Sequence, residues 1–278
     1  MKAFKRIFIV LLSIILLLIL FVVIFALVTP KSKVQLVLPD ELTLFAHRGQ
    51  VFKAPENTLE AVAAAVEEGF NAVEIDIRRT KDGELVLFHD HYTKTLLGVD
   101  SSSIENMLYE DLQQLNIIYK KKETNYKIPK LKDVFEKFPD IYYYLDIKEP
   151  SDDNIKTIVE MVRNYGMTDK VIISHANFFA QIKLRFRYPD IANCLEGFNA
   201  GSEKYLKLFP QKLQPTYFSS FLFNVSSEHI NYLKKHNMLD RRLVYSVDEE
   251  NMQQAIEDFE LKYLIIDIQN RENVFFGK

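Results

Sequence analysis

The longest uniform feature of the chain is an apolar segment near its start. Residues 7–28 are almost all Ile, Leu, Val, Phe or Ala, and only Ser13 interrupts them. At about 1.5 Å per residue, a helix of this length crosses a bilayer core of roughly 30 Å. A cleaved signal peptide usually has a shorter apolar region followed by a small-x-small site, and no clear site of that kind follows here. We therefore expect a retained transmembrane anchor over residues 7–28.

The charges that flank the anchor predict its orientation. Lys2, Lys5 and Arg6 precede it, whereas residues 29–41 hold two lysines close to two acidic residues. Basic residues favour the cytoplasmic side of a membrane. We expect a short cytoplasmic N-terminus over residues 1–6, a tether over 29–41 and an extracytoplasmic catalytic domain over 42–278.

Beyond the tether, short apolar strands alternate with amphipathic helices. The sequence predicts strands at 42–46, 72–78, 84–89, 142–148, 170–174, 192–195, 213–218, 243–248 and 263–267. It predicts helices at 59–68, 104–115, 151–165, 177–187, 202–209 and 227–237. This alternation is typical of α/β proteins. The polar stretch from about 91 to 128 interrupts it and predicts an insertion between strands.

Candidate chemistry lies on a predicted hairpin. Residues 72–78 alternate apolar and charged, which places Glu74 and Asp76 on one face of a strand. Lys81-Asp82-Gly83 is typical of a turn. A hairpin about residue 82 brings His89 opposite residue 75, beside both carboxylates. An imidazole in that place suits cation binding and proton transfer.

Alternating charges on a strand also mark the solvated face of an ordinary sheet. Glu74 and Asp76 alone would favour that interpretation. His47-Arg48-Gly49 changes the balance, because it follows another apolar strand. In barrels, the active site is built at the carboxyl ends of the strands.

Residues 45–90 resemble the glycerophosphodiester phosphodiesterase family. The motifs that carry the resemblance are, in order, His47-Arg48-Gly49, Pro55-Glu56-Asn57-Thr58, Glu74-x-Asp76, Thr80-x-Asp82-Gly83 and His89-Asp90. Their order and spacing are highly specific, although each short motif alone would mean little. The resemblance extends over the chain after the anchor and weakens towards the C-terminus.

The resemblance implies a distorted TIM (β/α)8 barrel and hydrolysis of glycerophosphodiesters to an alcohol and glycerol 3-phosphate. Three inward carboxylates repel unless a cation neutralises them, and oxygen ligands suit Mg²⁺ or Ca²⁺. We expect one divalent cation. The expected site residues are His47 and His89 as general acid and base in either order, Arg48 and Lys148 for the phosphate, and Glu74, Asp76 and Asp146 for the metal. Glu56 would orient His47 or the glycerol, or would simply stabilise a helix start.

The chain departs from the family pattern at several positions. Asp146 stands where the family usually has glutamate, which shortens the expected metal ligand by one methylene. The chain has no tryptophan, so Tyr245 occupies the place of the family's usual tryptophan. Residues 263–267 match the last motif only loosely. These differences concern the coordination of the metal and the shape of the substrate pocket.

Composition limits the classes of partner that the chain is expected to bind. A net charge of −3 and a pI near 6.1 argue against a general nucleic-acid binder. The single cysteine, Cys194, lies in an apolar run and is expected to be a buried inert thiol. The lysine run at 120–122 favours a solvated turn over an anion site.

An aromatic loop and a histidine near the predicted mouth of the barrel each allow more than one role. Phe218, Phe221 and Phe223 suit core packing slightly better than an apolar lip for a lipid tail. His175 could contact substrate.

Two other functions stay open. One is lysophospholipase D activity on lysophospholipids, with the anchor and the aromatic loop delivering a lipid substrate. The other is a binding domain without turnover, which the altered C-terminal motifs permit. The intact histidines and the Glu-x-Asp pair make the binding domain the weaker hypothesis. The expected partners are therefore a glycerophosphodiester or lysophospholipid substrate and the membrane, and the sequence does not predict an oligomeric state.

Overall fold

A computed structural model describes residues 2–28, 36–99, 102–198, 201–206 and 209–269. Helix α1 spans Lys2–Val28. Within it, Phe4–Ile24 has a mean hydropathy of 3.7 and no residue buried against the rest of the chain. By length and composition this helix is able to cross a membrane or to serve as a signal sequence. The first part of the predicted tether, residues 29–35, lies outside the described residues.

Eight parallel strands form a closed barrel. The strands of the chain are β1 Thr43–His47, β2 Ala72–Arg79, β3 Leu85–Leu87, β4 Ile118–Tyr119, β5 Lys122–Glu123, β6 Tyr142–Ile147, β7 Val171–His175, β8 Ala192–Leu195, β9 Tyr217–Phe221, β10 Arg242–Val247 and β11 Tyr263–Ile266. The barrel order is β1-β2-β6-β7-β8-β9-β10-β11, and β11 pairs with β1 to close it. The expectation of a TIM barrel is confirmed.

Helices surround the barrel, and four of them begin at a residue whose side chain caps the first turn. After α1 they are α2 Leu59–Glu67, α3 Lys94–Leu97, α4 Tyr109–Gln114, α5 Leu131–Lys137, α6 Asp152–Asn164, α7 Phe178–Arg187, α8 Glu203–Leu206 and α9 Ser227–Lys235, with a π-helix at Gln254–Asp258. Thr58, Ser151, Asn177 and Ser226 each accept a hydrogen bond from a backbone N–H in the first turn of a helix.

The barrel strands separate two apolar layers, one between the barrel and its helices and one inside the barrel. Side chains such as Val73, Ile75 and Ile77 face outward and pack with the helices. Phe45 and Cys194 belong to the smaller cluster inside the barrel. Cys194 is fully buried, as expected, and burial raises the pKa of its thiol to about 12.

Residues that precede β1 close the amino-terminal end of the barrel. The backbone N–H groups of Val37 and Leu38 both donate to the Tyr217 hydroxyl at 2.9 Å. The Tyr263 hydroxyl donates to the Pro39 carbonyl at 3.0 Å. Leu38 is buried in the inner cluster. The functional end of the barrel is therefore the opposite one.

The β2–β3 hairpin has the predicted register. Ile77 pairs with Leu87 and Arg79 with Leu85, which puts His89 opposite residue 75. Strand β3 is shorter than predicted, but the N–H of Phe88 still donates to the Asp76 carbonyl at 3.0 Å. The chain that follows, with α3, α4, β4 and β5, packs on Val86 and Phe88 through its own apolar cluster.

Three predicted elements differ from the structure. The strand predicted at 213–218 is a 3-10 turn at Gln211–Leu213 followed by β9, because Pro215 has no N–H to give to a ladder. The helix predicted at 104–115 is split, since the Met107 carbonyl accepts from the N–H of Lys81 instead of continuing a helix. Of the helix predicted at 202–209, residues 203–206 form α8 and residues 202 and 209 are not helical, whereas residues 207–208 lie outside the described residues.

Candidate active site

A cavity of about 300 Å³ lies at the carboxyl ends of the barrel strands. All of the predicted site residues except Glu56 line it. The lining consists of His47, Arg48, Glu74, Asp76, His89, Tyr144, Asp146, Lys148, Glu196, Phe221, Tyr245, Ser246 and Ile265. The geometry required by the sequence hypothesis is therefore present at one end of the barrel.

Three carboxylates converge on one side of this cavity. Each of Glu74, Asp76 and Asp146 offers an oxygen within 4.8 Å of the other two. Asp76 and Asp146 are register partners on β2 and β6, while Glu74 lies two residues earlier on the same face of β2. The Lys148 ammonium lies 2.6 Å from Asp76 and 2.5 Å from Asp146. The donor set consists of oxygens only, which fits a divalent cation. Lys148 neutralises part of the negative charge of this set.

Burial and neighbouring charges shift the pKa values of Glu74 and Asp76 in opposite directions. Burial and the nearby Asp76 charge raise the pKa of Glu74 to about 8. Burial also favours the neutral form of Asp76, but Lys148 and Arg48 outweigh it and lower the pKa of that carboxyl. Asn57 fixes Asp76 from two directions, since its amide donates to Oδ2 at 2.7 Å and its oxygen accepts from the Asp76 N–H at 3.0 Å.

His47 is held by an acidic partner that the sequence hypothesis did not include. Its Nδ1 lies 2.9 Å from Oδ1 of Asp267, which follows β11. Its Nε2 lies 3.8 Å from the Glu74 carboxylate. Burial opposes protonation of the ring, yet the hydrogen bond to Asp267 and the charge of Glu74 raise the pKa of His47 to about 9.

The motif after His47 is built on two positive φ angles. Arg48 has φ 56° and Gly49 φ 82°. A Cβ on residue 49 would lie 2.6 Å from the Ala61 carbonyl carbon, so only glycine allows α2 to approach this closely. The turn directs the Arg48 N–H to Glu74 at 3.1 Å and its Nε to Asp76 at 3.3 Å.

Glu56 lies beside this turn and outside the cavity lining. It accepts both of its hydrogen bonds from Nη1 of Arg48, at 3.0 and 3.1 Å. The carboxylate that contacts the Nδ1 of His47 is that of Asp267. The expected role of Glu56 in orienting the glycerol stays a prediction.

His89 is fixed through its backbone as well as its ring. Its Nδ1 lies 2.8 Å from Asp90. Its carbonyl accepts from Nε and Nη2 of Arg78, at 3.2 and 2.8 Å. Arg78 is buried and also pairs with Glu105 and Glu149, which belong to other loops of the rim.

The other side of the cavity carries a different set of side chains. Glu196 follows β8, Phe221 ends β9, and Tyr245 lies on β10. Tyr245 shares the inward face of β10 with Leu243, and a register shift between Val244 and Val247 leaves the next residue, Ser246, at φ 58°. Burial and the Asp146 charge raise the pKa of Glu196 to about 7.

The aromatic residues near the mouth have separate roles. Phe218 is fully buried in the outer layer, as core packing predicts. Phe221 and Phe223 are 39% and 77% exposed, and their rings stack at 4.8 Å. His175 does not line the cavity, and its Nδ1 accepts from the N–H of Asn177.

Two of these residues carried a weak signal in the sequence. Asp267 ends the segment that matches the last family motif only loosely, and Glu196 follows an apolar strand as other rim residues do. The partner of Asp267 could not be assigned without the closed barrel, because His47 lies 220 positions away in the sequence.

A sequence model described as the glycerophosphoryl diester phosphodiesterase family matches residues 47–196. The chain belongs to this family. The matched range contains all of the predicted site residues, and membership makes the chain an enzyme of the phosphoric diester hydrolase class.

Individual relatives of the family agree with this assignment. A glycerophosphodiester phosphodiesterase from Caldanaerobacter subterraneus subsp. tengcongensis is 26% identical over 226 residues, which is 77% of this chain and 89% of that protein. A lysophospholipase D from Homo sapiens is 31% identical over 141 residues, 48% of this chain and 45% of that protein.

Solved structures share the fold of this chain. A solved Oleispira antarctica phosphodiesterase, in complex with the product sn-glycerol-3-phosphate, superimposes with a TM-score of 0.74 at 22% identity. The match covers 86% of this chain and 98% of that one. At this identity the likeness shows the barrel fold.

Proposed function

We propose that this family member hydrolyses glycerophosphodiesters to an alcohol and glycerol 3-phosphate with the help of one divalent cation. The observation that supports the proposal is the convergence of two imidazoles, one arginine and three carboxylates on one cavity of about 300 Å³. The Caldanaerobacter relative carries the name of this activity. The solved Oleispira structure holds the corresponding product.

Glu74, Asp76 and Asp146 would hold the cation. A cation in that position would offset the negative charge of the phosphodiester and polarise its oxygens. The three carboxylates supply the negative charge that attracts a cation, and Lys148 neutralises only part of that charge. Arg48 and Lys148 would bind the phosphate oxygens, Arg48 as a planar donor that Glu56 and Asp76 keep in place.

His47 and His89 would exchange the protons. One imidazole removes the proton from a glycerol hydroxyl of the substrate, whose oxygen attacks phosphorus. The other donates a proton to the oxygen of the departing alcohol. Neither the attacking nor the departing oxygen then carries a full negative charge as one P–O bond forms and the other breaks. Water then opens the resulting cyclic phosphate to glycerol 3-phosphate. Asp267 keeps the His47 ring oriented throughout.

The direct test is hydrolysis of glycerophosphocholine by the purified chain, with both products identified. We expect choline and glycerol 3-phosphate, loss of activity in excess chelator, and recovery on adding Mg²⁺ or Ca²⁺. Chelator saturated with cation is the control for direct effects of the chelator. Full activity in free chelator would refute the cation, and phosphocholine with glycerol would refute the bond assignment.

Lysophospholipase D activity is a second candidate. The human relative of that name and the exposed Phe223 at the rim support it, because an exposed aromatic ring could contact an acyl chain. Comparing glycerophosphocholine with its acylated form in one detergent-free assay separates the candidates. A higher kcat/KM for the acylated form favours the lysophospholipase.

We also propose that α1 is a retained single-pass anchor with the N-terminus in the cytoplasm and the barrel outside. The length and hydropathy of Phe4–Ile24 support this placement. Fractionation of cells with intact α1 tests it, since a retained anchor keeps the full-length chain in the membrane pellet at high salt. A shortened chain in the soluble fraction would identify a cleaved signal sequence.

A further inference from the structure

The cavity has two chemically different halves. Strands β1, β2 and β6 carry His47 and the three carboxylates, and Lys148 follows β6. Strands β8, β9 and β10 carry Glu196, Phe221 and Tyr245 on the other side of the closed barrel. The reaction proposed above uses only the first half. The second half would then face the headgroup of the departing alcohol.

Among the described residues Glu196 forms no ion pair, and Lys148 is the basic residue whose charge acts on it from a longer distance. Across the residues that the structure describes, no lysine, arginine or histidine nitrogen lies within 4.0 Å of its carboxylate. The hydrogen bond that its carboxylate accepts from the described part of the chain is a long one, 3.4 Å from Ser174 Oγ. Glu196 also lies outside the group of carboxylates close enough to share a metal ion. A half-buried carboxylate in a cavity is stabilised by a positively charged ligand.

Two aromatic rings line the cavity together with this carboxylate. Phe221 and Tyr245 approach edge to face, with centroids 4.5 Å apart, and both line the cavity. The stacked Phe223 supports Phe221 from the rim. Faces of aromatic rings attract organic cations, and a carboxylate next to such rings adds a charge of the right sign.

The two arms of a phosphodiester fit these halves differently. The hydroxyl oxygens of glycerol suit the half that holds the histidines and the proposed cation. A departing alcohol made only of hydrocarbon would fit the other half poorly, because it would bury the Glu196 carboxylate without a partner. A small alcohol bearing an ammonium group satisfies both the carboxylate and the rings.

We propose that Glu196, Phe221 and Tyr245 form a subsite for a cationic headgroup, so that the enzyme selects substrates whose departing alcohol carries an ammonium group. Choline and ethanolamine are alcohols of this class. The inference rests on the proposed hydrolysis and adds the class of substrate to it.

The test compares kcat/KM for glycerophosphocholine with kcat/KM for glycerophosphoglycerol, whose headgroup is neutral. We expect the wild-type chain to prefer the choline substrate, and Glu196→Gln to lower the ratio of the two values about tenfold. Glu250→Gln is the matched control, because Glu250 is an exposed carboxylate in the loop after β10, outside the cavity lining. It should leave the ratio unchanged.

Each other result has a defined meaning. If the wild-type chain turns over neither substrate, the proposed function fails. If it turns over both and Glu196→Gln leaves the ratio unchanged, the function stands and the subsite is refuted. If Glu196→Gln raises the concentration of Mg²⁺ needed for half-maximal rate without changing the ratio, Glu196 is a metal ligand, which also refutes the subsite.

A second pair of variants guards against a folding defect in Glu196→Gln. Tyr245→Phe keeps an aromatic face and Tyr245→Leu removes it, so the leucine variant alone should lower the ratio severalfold. Tetramethylammonium chloride, with sodium chloride as control, should inhibit hydrolysis of glycerophosphoglycerol by the wild-type chain. Equal ratios in the two tyrosine variants and no inhibition by tetramethylammonium would overturn the proposal.

Discussion

At the scale of single residues, the two histidines are held by different means. The ring of His47 is oriented by Asp267 from the last strand, whereas His89 is fixed by its neighbour Asp90 and by two hydrogen bonds to its carbonyl. An imidazole that moves protons efficiently must keep one orientation and one tautomer. The carboxylate partners provide both.

Asp267→Asn should lower kcat for glycerophosphocholine by tenfold or more, with little change in KM. The amide removes the charge that holds the His47 imidazole but keeps its shape. Steady-state kinetics give both constants. Asp248→Asn is the control, because Asp248 follows the neighbouring strand β10 and bonds only to its own loop. Equal kcat values for the two variants would remove Asp267 from the site.

The sequence predicted which residues share the cavity better than it predicted their contacts. The histidines, Arg48 and the carboxylates lie close together because strand alternation and a tight turn fix them locally. Asp267 was not predicted because its contact with His47 joins the last strand to the first, and Glu196 was not predicted because only the closed barrel shows that it lines the cavity. Glu56 was expected near His47 or the glycerol and bonds to Arg48, a choice that depends on the left-handed turn at Arg48 and Gly49.

At the scale of secondary structure, the β2–β3 hairpin connects the site to the rim. Its two strands bring Glu74, Asp76 and His89 to one edge, and buried Arg78 joins the end of the hairpin to Glu105 and Glu149. The hairpin therefore positions His89 through a cationic side chain that does not itself line the cavity.

Arg78→Met should lower kcat by about tenfold and the free energy of unfolding by about 3 kcal/mol. The variant frees the His89 carbonyl and leaves two partly buried carboxylates without their arginine. Kinetics and urea unfolding measure the two effects. Arg79→Met is the neighbouring control, because Arg79 bonds to Gly83, Asp153 and Asn154 away from the cavity. A kcat equal to that of the control would contradict a positioning role.

Elements with strong local signals were predicted well, and those that depend on distant contacts were not. The hairpin register follows from Asp82-Gly83 and the strand alternation. The strand at 213–218 was misplaced because apolar residues around Pro215 suggested a ladder that proline cannot join. The split of the helix at 104–115 depends on the hydrogen bond from Lys81, which hydrophobic spacing does not reveal.

At the scale of the whole molecule, the chain that leads from α1 enters at the closed end of the barrel. Residues 37–39 bond to Tyr217 and Tyr263 there, opposite the cavity. Residues 37–39 therefore connect to β1 and also close the amino-terminal end of the barrel, as its floor. The alternation of strands and helices predicted the barrel, but it gave no sign of this floor, because these contacts join residues about 180 and 224 positions apart.

Removing residues 2–35 should leave kcat/KM for glycerophosphocholine within about twofold, whereas removing residues 2–41 should destabilise the barrel. The longer deletion loses the burial of Leu38 and the hydrogen bonds to Tyr217 and Tyr263, which together contribute about 3 kcal/mol. A fall in Tm of roughly 10 °C is expected for the longer deletion alone. Equal Tm values for the two deletions would show that the floor contributes nothing.

The most direct measurement is the rate of glycerophosphocholine hydrolysis by His47→Ala and by His89→Ala, each compared with the wild-type chain at saturating cation. Loss of a proton-transfer group should lower kcat by roughly 10²–10⁴-fold while circular dichroism and Tm stay unchanged. A folded variant of either kind with a kcat within twofold of wild type would contradict the assignment of that histidine to the chemistry.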